Sequence, residues 1–121
     1  MTDRARVVVV SPDEATRALV RLTLGDERYE VVDHVALDEA VRGIVTATPQ
    51  VLILDLASEG DALPLARTLR AQPETADIRT LILVHRGEQA PSDAHGVDAT
   101  LVVPSTAFAL LRKVDGLVAD D

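Results

Sequence analysis

Runs of consecutive apolar residues alternate along this chain with segments in which apolar residues recur every three or four positions. The apolar runs lie at 7–10, 51–54, 81–84 and 101–103. Runs of this length without an alternating polar face are typical of parallel strands that are buried on both sides. A more polar run at 30–34 is typical of an edge strand. The pattern therefore predicts five strands separated by helical segments.

The first helical segment has a strong start signal. Ser11 is placed to cap a helix, Pro12 then occupies its first position, and Glu14 lies three residues after the cap. This helix is predicted to end at Gly25. Its apolar residues at spacings of four and seven are predicted to face the core: Ala15, Leu19 and Leu22.

Three further segments have helical spacing, at 37–47, 64–71 and 105–118. Ser105 is predicted to cap the last of them, and four of its residues are predicted to face inward: Ala107, Leu110, Leu111 and Val114. The segment 85–96 is polar and contains glycine and proline, so we expect at most one turn of helix there. Strands that alternate with helices at short spacing predict one α/β domain over 1–121, with a five-stranded parallel sheet sandwiched by helices.

Composition narrows the classes of function. The chain has a formal charge of −8, which argues against nucleic acid or an anionic membrane as a direct partner. It has no cysteine, which excludes disulfides and thiolate metal sites. No apolar run approaches about 18 residues, so no membrane span is predicted and we expect a cytoplasmic protein.

Asp55 is the main candidate for chemistry, because it ends the apolar run 51–54. In open α/β sheets, ligands and reactions lie just beyond the carboxyl ends of the strands. The alternative is that Asp55 only caps the following loop. His85 follows the fourth run and could meet Asp55 at that edge, which leaves a small ligand-binding or enzymatic domain as one hypothesis. The three histidines show no metal-ligand spacing, so solvated loop histidines are the preferred interpretation and no metal site is predicted.

Several stretches resemble one family in their order and spacing. The sequence PQVLILD at 49–55, the segment 65–78 and GVDA at 96–99 resemble the receiver domain of bacterial response regulators, which has the CheY-like, flavodoxin-like fold. The resemblance covers nearly the whole chain. It implies the strand order 2-1-3-4-5, with a fourth helix that is short or missing here.

The resemblance also assigns roles to individual positions. The aspartate that ends strand three in this family accepts a phosphoryl group from a histidine kinase, and that role would fall on Asp55. The other family positions carry different residues here. The two acids that hold Mg²⁺ in the family correspond to Ser11 and Pro12 here. The family's hydroxyl residue at the end of strand four corresponds to Val84. Its lysine, which precedes the proline after strand five, corresponds to Val103, and that proline is Pro104 here.

These substitutions predict that Asp55 is a poor acceptor. Mg²⁺ is usually held by one or two carboxylates, and a lysine ammonium about 4 Å from a phosphoryl oxygen contributes about 4 kcal/mol. That energy corresponds to nearly a thousandfold in rate. We also expect that Asp55→Ala is neutral or stabilising, since no cation is predicted beside the acid.

The sequence thus favours a degenerate, non-enzymatic receiver that signals through protein–protein contact without Mg²⁺-assisted phosphorylation and without a cofactor. A phosphorylatable receiver is the alternative, with Asp13 as a substitute acid and Mg²⁺ as its cofactor. The partner would be a signalling protein or a second copy of the chain. Phe108 lies off the inward stripe of the last helix and is a candidate interface residue.

Overall fold

The computed structural model describes residues 5–25, 29–35, 41–44, 48–55, 62–86 and 97–119. Five strands form one parallel sheet with the order β2-β1-β3-β4-β5, which confirms the predicted architecture. The strands are β1 (Ala5–Val10), β2 (Tyr29–His34), β3 (Val51–Asp55), β4 (Arg79–His85) and β5 (Ala99–Val103).

Three helices are bounded within the described residues: α1 (Glu14–Leu24), α2 (Ala62–Ala71) and α3 (Ala107–Ala119). Residues 41–44 are also helical and lie inside the predicted helix 37–47. The predicted single turn falls mostly on 87–96, which lies outside the described residues. No described helix has both the length and the apolar character needed to cross a membrane.

Both faces of the sheet are apolar, as expected for parallel strands covered on each side. Alternate residues of the strands pack against α1 and α3 on one face, including Val9, Ile53 and Leu83. The residues between them pack on the other face, where Leu54 and Ile82 meet Ala66 and Leu69 of α2. Two aliphatic cores therefore hold the strand ends at a fixed spacing.

The predicted inward face of α1 is wrong at Ala15 and Leu22, whereas Leu19 packs partly against the core as predicted. Leu22 is 86% exposed and Ala15 is also exposed, whereas Val20 and Leu24 are buried with Thr16. The helix carries two apolar stripes with similar spacing, so periodicity alone cannot choose between them.

Ion pairs between α1 and the neighbouring strand favour the observed rotation. Arg21 donates to Asp33 of β2 at 2.6 Å, and Arg17 lies 3.4 Å from the same carboxylate. Because these arginines must lie over β2, the stripe that contains Val20 and Leu24 faces the core. The two apolar stripes are therefore distinguished by the positions of the charged residues between them.

The last helix differs from its prediction at its amino end. The amide of Ala109 donates to Oγ1 of Thr106 at 3.1 Å, so Thr106 provides the cap that was predicted for Ser105. Leu110 and Val114 are buried as predicted, and Leu111 packs partly against the core, but Ala107 is exposed. The inward stripe continues instead to Leu117.

Candidate functional site

Strand register brings three polar side chains together at the carboxyl edge of the sheet. Val10 of β1 pairs with Leu54 of β3, so the residues that follow them, Ser11 and Asp55, are neighbours. Asp55 in turn pairs with Leu83 of β4, and His85 lies two residues farther along that strand. Because side chains alternate in a strand, His85 and Leu83 point to the same face. The register alone therefore places Ser11 and His85 on either side of Asp55.

Both carboxylate oxygens of Asp55 are hydrogen-bonded. The hydroxyl of Ser11 donates to Oδ2 at 2.6 Å, and Nε2 of His85 lies 2.6 Å from Oδ1. The Asp55 side chain is 0% exposed, whereas that of His85 is 32% exposed. The buried acid thus has an imidazole partner at one oxygen and a hydroxyl at the other, as a buried carboxylate requires.

Two expectations from the sequence are corrected by this geometry. We expected no cation beside Asp55, but the ring of His85, a side chain that can carry a positive charge, contacts the acid directly. The preferred interpretation of His85 as a solvated loop histidine is also wrong, since it is the last residue of β4. The signal was available, because a histidine directly after an apolar run stands at the edge where Asp55 also lies. The fourth strand was predicted to end at Val84, one residue before its observed end at His85.

Asp13, and not Ser11, caps α1. Its Oδ1 accepts from the amide of Ala15 at 3.3 Å, and its Oδ2 accepts from the hydroxyl of Thr16 at 2.8 Å. The Ser11 hydroxyl accepts from the Asp13 amide at 3.1 Å while it donates to Asp55. The predicted capping role of Ser11 is therefore wrong, because its hydroxyl links the turn to the buried acid instead.

The turn before α1 is also held from the helix side. Nη1 of Arg17 donates to the carbonyl oxygen of Ser11 at 2.6 Å. The same guanidinium pairs with Glu14 at 2.7 Å, and the Arg17 side chain is only 11% exposed. A nearly buried arginine therefore fixes the backbone from which Ser11 reaches Asp55.

The cap makes a testable contribution to acid stability. The hydrogen bond from the Thr16 hydroxyl, followed by those from the backbone amides of Ala15 and Thr16, holds the pKa of Asp13 below its ordinary value. A carboxyl whose pKa is lowered by folding stabilises the fold above its unfolded pKa, and this contribution is lost as the pH falls through the folded pKa. We therefore expect that the cap contributes fully near neutral pH and progressively less in acid.

Asp13→Asn provides the test, since asparagine caps helices about as well as aspartate but does not titrate. Urea melts of both proteins would be compared from about pH 6 down to about pH 2, across the ordinary range of carboxyl pKa values. The stability advantage of the wild type over the variant should shrink as the pH falls through this range. A difference that stays constant at every pH would contradict the role of the Asp13 charge.

The remaining positions assigned by the resemblance offer no polar group to the site. Val84 and Val103 are both buried in the aliphatic cores. Val103 pairs in register with His85, so an apolar side chain lies beside the imidazole. Pro12 is exposed and has no side-chain donor or acceptor.

The acids nearest the site that the structure describes, Asp55 and Asp13, are both engaged by protein donors. Within the part of the chain that the structure describes, no three histidine or acidic side chains are arranged to hold a metal ion. Mg²⁺ requires near-octahedral oxygen ligands. Both oxygens of Asp55 and both oxygens of Asp13 already accept hydrogen bonds from protein groups.

Phe108 lies in the first turn of α3, on its outward side. Its side chain is 67% exposed, and the guanidinium carbon of Arg112 lies 5.7 Å from the ring centroid. This spacing is within the range of a cation–π contact. These observations do not test whether Phe108 binds a partner, so its role in an interface stays a prediction.

Comparison with known proteins supplies the family context. No protein-family model matches the sequence. Over 117 residues the chain is 32% identical to the phosphate regulon transcriptional regulatory protein PhoB of Rhizobium meliloti (strain 1021), covering 93% of this chain. The alignment spans only 52% of PhoB, so the chain corresponds to about half the length of this curated relative.

Solved structures match over nearly the full length. A response-regulator-like protein from Chloroflexus aurantiacus J-10-fl has a TM-score of 0.87 at 25% identity, covering 97% of this chain and 99% of that one. The chemotaxis response regulator CheY4 of Vibrio cholerae has a TM-score of 0.84 at 25% identity, covering 95% and 99%. The chain has the CheY-like receiver fold, and these relatives support a response-regulator receiver domain.

Within the receiver fold, Asp55 stands at the end of β3 and therefore at the position that the resemblance assigns to the phosphoacceptor. In the structure Ser11 contacts this acid. His85 contacts it as well, although the sequence favoured a solvated loop position for that residue. It leaves Val84, Val103 and Phe108 without a side-chain contact to Asp55 among the described hydrogen bonds and ion pairs.

Proposed function

We propose that this receiver domain acts in bacterial signal transduction of the phosphorelay type through protein–protein contact, without Mg²⁺-assisted phosphorylation of Asp55. The observation that carries the proposal is the state of Asp55 itself. Its side chain is fully buried, and both of its oxygens are held by Ser11 and His85. A carboxylate in this state has no exposed oxygen for in-line attack on a phosphoryl donor.

Electrostatics support the same proposal. Phosphoryl transfer depends on cations that neutralise the charge developing on the transferring group. The positions expected to supply a metal and an ammonium carry Ser11, Pro12 and Val103. Nε2 of His85 lies 2.6 Å from Asp55, so this nitrogen is directed at the acid and not at an incoming phosphate.

A magnesium titration tests the proposal. Two-dimensional ¹⁵N–¹H spectra would be recorded with increasing MgCl₂ up to millimolar concentrations, and a parallel titration with NaCl at equal ionic strength would serve as the control. We expect that the amide signals of Asp13 and Asp55 do not move beyond the sodium control. Saturable shifts of both signals at millimolar Mg²⁺ would favour a phosphorylatable receiver in which Asp13 serves as a metal ligand.

The partner is proposed from exposed features of the domain. Phe108 and Arg112 form an outward apolar and cationic pair on α3, and aromatic and arginine side chains are common anchors of interfaces. A signalling protein or a second copy of the chain could bind there. The relative named PhoB is a transcriptional regulatory protein, and only about half of its length corresponds to this chain. The transcriptional role in its name therefore belongs to that protein and is not proposed for these residues.

A further inference from the structure

We propose that the outward face of α3 binds an amphipathic helix of a partner protein whose apolar stripe is flanked by acidic residues. This partner is the signalling protein of the proposed function, so the inference rests on that function. Phe108, Arg112 and Gly116 follow one another at intervals of four residues, and all three are exposed. Residues at this spacing form one ridge of a helix, and such ridges interdigitate when two helices pack. We call these three residues the α3 ridge.

The α3 ridge is not needed to hold the helix on the sheet. Leu110, Val114 and Leu117 are buried in the core that α3 forms with α1, whereas Phe108 remains exposed with the guanidinium of Arg112 beside its ring. Aromatic residues and arginine are enriched in protein interfaces. The one phenylalanine of the chain is therefore placed for contact with a partner and not for internal packing.

Gly116 supplies an independent observation. Glycine inside a helix is less favourable than alanine, because it loses more conformational freedom on folding. Apart from the backbone of its own helix, no described atom lies within 4 Å of the position that a Cβ would take. Packing within the described domain therefore does not require glycine here. The missing side chain leaves room for another backbone to approach α3 closely, about two turns beyond the Phe108 ring.

The charges beside the α3 ridge favour an acidic partner. Arg112 and Lys113 are exposed, and neither forms an ion pair within the part of the chain that the structure describes. The single acid of α3, Asp115, accepts a hydrogen bond from the Tyr29 hydroxyl. The charge of −8 belongs to the whole chain, and exposed charges farther apart than about 8–10 Å are largely screened at physiological ionic strength. Carboxylates of a partner would thus meet two local cations.

The same geometry disfavours a second copy of the chain as the occupant. In an antiparallel two-fold pair, Phe108 lies over Gly116 of the other copy only if Arg112 faces Arg112, because residue 112 is midway between them. In a parallel two-fold pair each residue faces its own copy, so Arg112 again faces Arg112. Like charges placed opposite each other oppose association. A different protein with acidic residues level with Arg112 has no such conflict.

Selection from a helix library tests the chemistry of the partner. Phage would display amphipathic helices with a fixed leucine and alanine stripe, and each flanking position would be either glutamate or lysine. The full chain would serve as the target. We expect glutamate to be enriched at the flanking positions. The most enriched peptide, added to the ¹⁵N-labelled chain, should shift the amide signals of the α3 ridge, and its affinity should fall as NaCl is added.

Variants of the α3 ridge locate the binding site. Phe108→Ala and Arg112→Glu should each weaken binding of the enriched peptide by about thirtyfold or more, as expected for side chains that anchor an interface. Gly116→Leu should also weaken it, because the added side chain fills the space that the peptide backbone would approach. Circular dichroism melts would show that each variant keeps the fold.

Matched controls lie on the opposite face of the sheet. Arg67 is exposed on α2, whose residues Ala66 and Leu69 belong to the other core, and Arg67→Glu changes the net charge as much as Arg112→Glu does. Val41 is exposed close to Ile44 of that same core. Arg67→Glu and Val41→Ala should change the affinity by no more than about twofold, since charges this far from the peptide are screened.

Enrichment of lysine, no enrichment, or binding that Phe108→Ala and Arg112→Glu leave unchanged would overturn the inference. A dimer in analytical ultracentrifugation that Gly116→Leu dissociates would also overturn it, because the α3 ridge would then bind a second copy. None of these results depends on the chemistry of Asp55, so the proposed function would stand. That function would fail separately, through Mg²⁺-dependent phosphorylation of Asp55.

Discussion

Replacing Leu24 with alanine is expected to lower the free energy of unfolding by about 3 kcal/mol, the middle of the range for leucine-to-alanine changes in cores. Leu24 is fully buried at the end of α1 and belongs to the cluster that α1 and α3 form on one face of the sheet. The change removes apolar contacts and leaves a cavity among the aliphatic side chains that surround it. Urea melts followed by circular dichroism would measure the loss.

Leu22→Ala is the matched control on the same helix, two residues earlier. Leu22 is 86% exposed, so the same substitution should change the free energy of unfolding by no more than about 0.5 kcal/mol. The pair tests the rotation of α1 directly, since the sequence pattern predicted Leu22 as the inward residue. Equal losses for the two variants, or a larger loss for Leu22→Ala, would show that the rotation is wrong.

Replacing Asp55 with alanine is expected to destabilise the domain by about 2 kcal/mol, which reverses the expectation drawn from the sequence. That expectation assumed that no cation lies beside the acid, but the Ser11 hydroxyl and His85 both contact it. Removing one member of a buried polar cluster leaves its partners without their hydrogen bonds, at a cost of about 1–3 kcal/mol. The cost lies below that of a fully buried ion pair, because the His85 ring is partly exposed.

Two comparisons isolate this effect. Asp55→Asn keeps the shape and can still accept a hydrogen bond, so its loss should be smaller than that of Asp55→Ala. In a double-mutant cycle, His85→Gln should cost less in the Asp55→Ala background than in the wild type. If Asp55→Ala were neutral or stabilising in thermal or urea melts, the two contacts would contribute nothing to the fold, and the original expectation would hold.

Strand positions and their parallel pairing were predictable because runs such as Val7–Val10 and Val51–Leu54 have no polar face. A strand with that pattern must be covered on both sides, and the helical segments between such strands are the crossover connections that parallel pairing needs. The resemblance then gave the strand order 2-1-3-4-5, which the structure confirms. The position of Asp55 at the carboxyl edge followed from the same pattern.

The helix faces and caps were less predictable, because more than one arrangement satisfies the local rules. Both Ser11 and Asp13 can cap α1, and the choice depends on Asp55, which is far away in sequence and takes the Ser11 hydroxyl. The stripe containing Leu22 has the same helical spacing as the one containing Leu24. Tertiary contacts decide such cases, and a single sequence does not display them.

For a related reason, the sequence could not decide between a His85 that contacts Asp55 and a His85 that is solvated in a loop. A histidine that follows an apolar run can be the last residue of the strand or the first residue of a loop. Here β4 includes His85, and the register with β3 places its ring against Asp55. Whether β4 ends at Val84 or at His85 therefore decides whether the His85 side chain is solvated or contacts the buried Asp55.

Incubation of the chain with acetyl phosphate and Mg²⁺, followed by intact mass analysis, tests the central claim most directly. The account predicts that Asp55 forms no acyl phosphate, so that no alkali-labile phosphoryl adduct is seen and the wild type behaves like Asp55→Asn. A stoichiometric, alkali-labile adduct that is lost in Asp55→Asn would contradict it, because the buried acid would then be a working phosphoacceptor.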